Sequence, residues 1–207
     1  MRRIDWYFDF ISPYAYFALQ RLSEFPADVE IRFRPILFAG LLKHWDHKGP
    51  AEIPPKRIWT YRSCTWWALQ HGVPFQFLAA HPFNPLAYLR LAIAAGSTKT
   101  AIAAIFEALW TTGADPSDPT IIATLANQLG VDPAAISSSN VKDALRQNTE
   151  GAIVRNLFGV PTLDINGEAF WGLDAMDFAL AYLANPAVLA TDEMQRLTRL
   201  PITARRA

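Results

Sequence analysis

The stretch that constrains this chain most is Asp9-Phe10-Ile11-Ser12-Pro13-Tyr14-Ala15-Tyr16. Ahead of it, Ile4-Asp5-Trp6-Tyr7-Phe8 is apolar, aromatic and β-branched, the composition of a buried strand. Behind it, Pro13 falls where a first helical residue would sit, because its fixed φ suits a helix start and its missing N–H would be unpaired there anyway. Ser12 is then the helix N-cap. A strand–Ser–Pro–helix junction aims a hydroxyl, unpaired backbone N–H groups and the positive end of a helix dipole at one point. An anion, or a thiol held as thiolate, is stabilised at such a point. The plainer reading, in which Ser12 does no more than cap the helix, stands beside it.

Tyr16, Leu19 and Leu22 keep helical spacing as far as Phe25-Pro26, and Val29 to Ile36 then alternates apolar and charged residues, the period of a strand. Strand, helix, strand opens a parallel βαβ unit. From Leu37 the spacing becomes helical and strand signals vanish for more than a hundred residues, which predicts a helical insertion. It opens on Gly40 to Trp45 and a proline-rich loop, with Lys43, His47 and Lys56 flanking that loop as anion contacts or as solvated surface charges. Helices are predicted over 57–70 with Gly72 as C-cap, 86–95 with Asn84 as N-cap and Pro85 at the first position, 100–110, 120–129 and 139–156. Trp59, Trp66 and Trp67 read as packing residues, and Cys64 as a small core or interface residue.

Gly159 to Trp171 is the second informative stretch. Asn166-Gly167 between two apolar runs predicts a hairpin. The first run begins at Val160-Pro161, where a cis bond is expected and would leave the Val160 backbone free to pair with an extended ligand. Asp174 precedes the apolar spacing of Phe178, Leu180 and Leu183, near a helix N-terminus where a carboxylate is favoured and can receive an ammonium group. From Asn185 the tail is polar and interrupted by prolines.

Composition excludes several classes of function. The 207 residues allow one domain with a large insertion, or two small ones, and 51% hydrophobic content supplies a sizeable core. Nineteen basic residues balance nineteen acidic ones, so no basic field exists to hold nucleic acid. Asp5 and Asp9 interrupt the first apolar segment, so no signal peptide is expected, and no apolar run has the length of a membrane span. The single cysteine, Cys64, cannot form an internal disulfide, which fits a reducing cytoplasm. His44 and His47 are weak support for a metal site, and none is expected.

Asp-Phe-x-Ser-Pro-Tyr at Asp9 to Tyr14, Gly-Val-Pro-Thr at Gly159 to Thr162, and Trp171-Gly172-x-Asp174 after the hairpin together resemble the 2-hydroxychromene-2-carboxylate isomerases. Those enzymes belong, with kappa-class glutathione transferases, to the DsbA-like branch of the thioredoxin fold. The resemblance implies an α/β, thioredoxin-like core from residues 1–37 and 157–207, with an all-helical insertion at 38–156. Redox members carry Cys-x-x-Cys around the Ser12 position; Ile11-Ser12-Pro13-Tyr14 has no cysteine, so disulfide exchange there is excluded. What the resemblance implies instead is glutathione as an unconsumed cofactor, with Ser12 holding its thiol and acting as the catalytic residue. Val160, beside Pro161, would pair with its backbone, Gly172-Leu173-Asp174 would take its γ-glutamyl end, and His47 and Lys56 would complete the cofactor set. Lys43, for the substrate carboxylate, with Trp45 and Asn84, forms the substrate-side set. The chain departs from the family in having Asp46-His47 where Gly-Asn is common, and Leu173-Asp174-Ala175 where Ser or Asn, Asp and Arg follow one another. The expected activity is isomerisation of 2-hydroxychromene-2-carboxylate-type intermediates of aromatic catabolism to trans-o-hydroxybenzylidenepyruvate-type products, by a cytoplasmic homodimer acting on a small aromatic carboxylate. The alternatives are a kappa-like glutathione transferase or peroxidase, and a thioredoxin-fold binding protein without chemistry.

Overall fold

A computed structural model describes residues 2–204; residue 1 and residues 205–207, the extreme ends of the expected thioredoxin-like segments, lie outside it. Strand β1 (Arg2–Phe8) runs into helix α1 (Pro13–Arg21), and β2 (Val29–Pro35) returns parallel to β1. A helical crossover of this kind is what a parallel pair requires, because the chain must cross back before it can pair again. Only helices follow until residue 162: α2 (Phe38–His44), α3 (Pro54–His71), α4 (Leu86–Ala94), α5 (Lys99–Trp110), α6 (Pro119–Gln128), α7 (Pro133–Ile136) and α8 (Ser139–Val154). Strands β3 (Thr162–Ile165) and β4 (Glu168–Trp171) form the expected hairpin, with Asn166 and Gly167 both at positive φ. Helices α9 (Met176–Ala184) and α10 (Asp192–Leu197) close the chain. The sheet order is β2-β1-β3-β4, with β3 antiparallel to β1, so the architecture is the α/β, thioredoxin-like one with a helical segment between its halves.

Register explains the core. Phe33, Trp6, Leu163 and Phe170 lie opposite one another across the four strands, giving one apolar row. Phe106 of α5 packs against Trp6, Phe8 and Phe10, so the helical segment and this face of the sheet share a single apolar cluster. The opposite face carries Tyr7, which packs with Ile36, Leu41, Leu157 and Val160. Among the described residues no helix is long and apolar enough to cross a membrane.

Three expectations need correction. Helix α3 begins at Pro54, three residues early, because two consecutive prolines fit a first helical turn; it ends at Gly72 (φ 62°) as expected. Pro85 is the N-cap of α4 rather than its first residue, so Asn84 lies one position before the cap, where its Oδ1 accepts from Leu86 N at 3.1 Å. Trp59 and Trp66 are not packing residues within the chain: they are 70% and 59% exposed. The buried face of α3 is the small stripe Thr60, Cys64 and Ala68, and only Trp67 turns inward, against Phe17.

Candidate functional site

The Ser12 turn is held from every side. Ser12 caps α1 with extended backbone (φ −94°, ψ 115°), and its Oγ accepts from Ala15 N at 3.3 Å. Having accepted there, the hydroxyl keeps its own hydrogen to donate elsewhere. The fully buried Asp9 accepts from Ile11 N at 3.1 Å and Phe38 N at 2.8 Å, tying the turn to the start of α2. Burial raises the Asp9 carboxyl to about 7, against the lowering effect of those backbone donors. From the helical segment, Trp110 Nε1 donates to Phe10 O at 3.0 Å and His81 Nε2 to Ile11 O at 2.9 Å. A carbonyl can only accept, so Nε2 carries the hydrogen. Tyr61 Oη lies 2.8 Å from His81 Nδ1 and donates to His81 O at 2.6 Å, completing a three-residue grip.

Beside this turn opens a cavity of about 520 Å³. Ile11, Ser12 and Tyr14 form one wall, Phe38 and Leu42 of α2 with the 47–52 loop another, and Phe158, Gly159, Val160 and Trp171 face them; Lys56, Thr60, His81 and Pro82 complete it. Apolar walls with few convergent polar groups are the usual form of a small-molecule site. The Val160-Pro161 bond is cis, and among the described residues no backbone partner takes the Val160 N–H or C=O. Gly159 is required where it stands: a β-carbon there would collide with Trp171 Nε1.

The structure thus brings together Ser12, Val160, His47 and Lys56 on one cavity, with Pro161 immediately behind Val160. Asp174 is exposed and outside the wall, yet its charge reaches Tyr14, whose hydroxyl is pushed up to about 12 by burial first, with smaller contributions from Cys64 and Asp174. Gly172, at φ 98°, donates its N–H to Pro161 O at 2.9 Å, while the Leu173 side chain is buried in the core, leaving only backbone to offer. Lys43, Trp45 and Asn84 stand outside the wall. Trp45 Nε1 donates to Leu157 O at 2.9 Å, and Asn84 Oδ1 is engaged by Leu86 N. His81 and Thr60 carry no motif in the sequence, and Trp171 is marked only as part of the Trp-Gly-x-Asp motif; for His81 the only local signal is the His-Pro pair, whose bond is also cis. Burial pushes the Cys64 thiol up to about 12, so it is no nucleophile. The described residues contain no cluster that could hold a metal.

The arrangement offers a hydroxyl donor and a helix N-terminus to an anion, an unpaired extended backbone opposite, and cations at the rim. The model of the DSBA-like thioredoxin domain matches residues 3–184. The 2-hydroxychromene-2-carboxylate isomerase of Pseudomonas putida is 30% identical over 84% of this chain and 90% of its own. The glutathione S-transferase kappa 2 of Caenorhabditis elegans is 24% identical over 88% of this chain and 92% of its own. A solved 2-hydroxychromene-2-carboxylate isomerase superposes with a TM-score of 0.73 at 26% identity, covering 92% of this chain and all of that one. With the fold, the cysteine-free Ser12 turn and these relatives in agreement, the chain belongs to the DSBA-like thioredoxin domain family and is an enzyme of its 2-hydroxychromene-2-carboxylate isomerase group.

Proposed function

We propose that this protein is a glutathione-dependent isomerase of 2-hydroxychromene-2-carboxylate-type intermediates, forming trans-o-hydroxybenzylidenepyruvate-type products as a cytoplasmic homodimer. The observation that carries the reading is the Ser12 hydroxyl at the N-terminus of α1, opening on the same cavity as the unpaired Val160 backbone. The donor set fits glutathione: Ser12 Oγ for the thiol, Val160 N–H and C=O for the peptide-like middle, and Lys56 with His47 for a carboxylate. The Gly172-Leu173-Asp174 segment, joined through Gly172 N to Pro161 O, offers backbone groups and a carboxylate to the γ-glutamyl end. When bound, glutathione would supply a thiolate nucleophile for reversible addition to the conjugated chain of the substrate, the chemistry that would let a double bond isomerise without consuming the thiol.

The chain's own residues make that chemistry accessible at neutral pH. Ser12 donates a charge-assisted hydrogen bond to sulfur, and the α1 dipole favours the same negative charge. Phe38, Phe158 and Trp171 form flat apolar walls that exclude water and suit an aromatic substrate. Lys48 places a further positive charge on the wall for the substrate carboxylate, with Lys43, Trp45 and Asn84 farther out as a substrate-side rim.

The test follows the ultraviolet spectrum of 2-hydroxychromene-2-carboxylate with purified protein, with and without glutathione, while titrating total free thiol. The expected result is conversion that needs glutathione and leaves the thiol pool unchanged. Stoichiometric loss of thiol would assign the protein to the kappa-like transferases instead. Conversion unaffected by omitting glutathione would remove the cofactor from the reading.

A further inference from the structure

Thr60, on the inward face of α3, is 8% exposed and lines the cavity. A threonine in a helix can give its hydrogen to the carbonyl one turn back, as Thr65 does to Tyr61 O at 2.9 Å and the buried Thr149 to Leu145 O at 2.8 Å. Thr60 Oγ1 makes no such bond, and no other group among the described residues takes its hydrogen. Nor is the oxygen shut in the core: the sealed side-chain atoms without a partner, among the described residues, are Trp6 Nε1, Arg32 Nε and Arg90 Nε. The cavity is the space left to it. Packing does not call for a hydroxyl here, since alanine or valine would let α3 lie as close without taking an unpaired polar group out of water.

The neighbouring polar groups of the wall are engaged elsewhere. His81 Nε2 donates to Ile11 O, Glu52 Oε1 accepts from Gly49 N at 2.6 Å, and the Tyr14 hydroxyl meets Cys64 and Ser63 of α3. The Tyr14 contact sets the first turn of α1 against the 63–64 turn of α3. Thr60, one turn before Cys64 on the same face, therefore lies between the Ser12 turn and Lys56, which is one turn farther out. We infer that Thr60 binds the oxygen on the carbon next to the substrate carboxylate, and so selects 2-hydroxy and 2-oxo acids; this rests on the proposed function. A hydroxyl suits that atom in both forms, because it donates to a carbonyl oxygen and either donates to or accepts from another hydroxyl. The reaction also moves charge there. As a nucleophile's electron pair bonds to the side-chain carbon beside the aromatic ring, the pair of the adjacent double bond shifts toward the 2-carbon and the carbonyl pair moves onto the 2-oxygen. The same pairs return when the nucleophile leaves, so no net proton, oxidant or reductant is needed. A donor held at that oxygen, away from bulk water, interacts more strongly in the transition state than in the ground state.

The experiment compares trans-benzylidenepyruvate with trans-4-phenylbut-3-enoate, which keeps the ring, the double bond and the carboxylate but has no 2-oxygen. Binding to the parent, Thr60→Val, Thr60→Ala and Thr60→Ser is measured by calorimetry, with and without S-methylglutathione, which offers no thiol. The absorption band of the bound 2-oxo acid is recorded alongside. The parent and Thr60→Ser should bind the 2-oxo acid about tenfold tighter than its partner, the size of one hydrogen bond. They should also shift its band to the red, because a donor at the carbonyl oxygen draws charge along the conjugated chain. Thr60→Val and Thr60→Ala should lose both effects. With glutathione, turnover of 2-hydroxychromene-2-carboxylate should fall about 10²-fold in these two variants and recover in Thr60→Ser. Two hydroxyl-free variants of different volume separate loss of the bond from a change of packing, and circular dichroism checks the fold of each. Selectivity and band position unchanged in Thr60→Val and Thr60→Ala would overturn this role and leave the proposed function standing. Failure of the parent to bind either acid under either condition would overturn the substrate class itself, and this assignment with it.

Discussion

His81 Nε2 donates to the carbonyl oxygen of Ile11 at 2.9 Å, so a residue of the helical segment holds the peptide that precedes Ser12. Seventy positions separate the two in sequence. Replacing His81 by Ala leaves the Ile11 carbonyl without its side-chain donor, at a cost of about 1–3 kcal/mol, while Tyr61 keeps its bond to the His81 backbone carbonyl. The expected outcome for His81→Ala is a fall in kcat larger than the rise in KM, because the Ser12 hydroxyl loses its aim. His81→Gln, which keeps a donor, should recover part of the rate. Nitrogen NMR of the parent should show the proton on Nε2; a proton on Nδ1 alone would contradict the hydrogen bond.

Ser12→Ala should raise the thiol pKa of bound glutathione by about 1–2 units, since a hydrogen bond to a charged group contributes roughly 1.5–3 kcal/mol. The fold should survive, because loss of an N-cap costs only about 1 kcal/mol. Ultraviolet titration of the bound thiol checks the shift. Turnover of the variant should recover as pH rises. Full activity at neutral pH with an unchanged thiol pKa would reduce Ser12 to a cap.

Gly159→Ala should destabilise the cavity wall by forcing Trp171 off its position, since the added carbon overlaps the indole nitrogen. The double change Gly159→Ala with Trp171→Ala should restore thermal stability while leaving substrate binding weak. Differential scanning calorimetry and KM together separate these two effects.

Asp9 carries a pH dependence whose sign follows from its burial. Its carboxyl is raised from 3.8 to about 7 in the folded chain, so between these values the folded state holds a proton that the unfolded state has released. Its contribution to stability therefore falls as pH rises from about 4 to about 7 and is lost above that range. Asp9→Asn should remove this component, visible as a flatter difference between the melting temperatures at pH 5 and pH 7. It should also lower stability at acid pH, because Ile11 N and Phe38 N donate to different oxygens and the amide replaces one of these acceptors by an NH2 donor.

Local pattern carried much of this fold. Period-2 alternation at Val29 to Pro35, the Ser12-Pro13 and Asn166-Gly167 signals and the Gly72 stop are decided within a few residues, by backbone preferences that act before the chain is folded. Ser12, Val160, His47 and Lys56 were legible for a related reason: short motifs fix backbone geometry, and the resemblance joined motifs about 150 residues apart. Tertiary structure alone decided what lies between them. His81 and Trp110 carry no local mark, because their roles come from carbonyls of residues 10 and 11 that only folding brings near. Trp59 and Trp66 illustrate the converse, since composition favours a buried indole but does not say which face of a helix the fold will turn inward. The face of α3 that turns inward is the one with Thr60, Cys64 and Ala68, small enough to let the helix lie close to its neighbours, and that choice leaves both indoles in solvent.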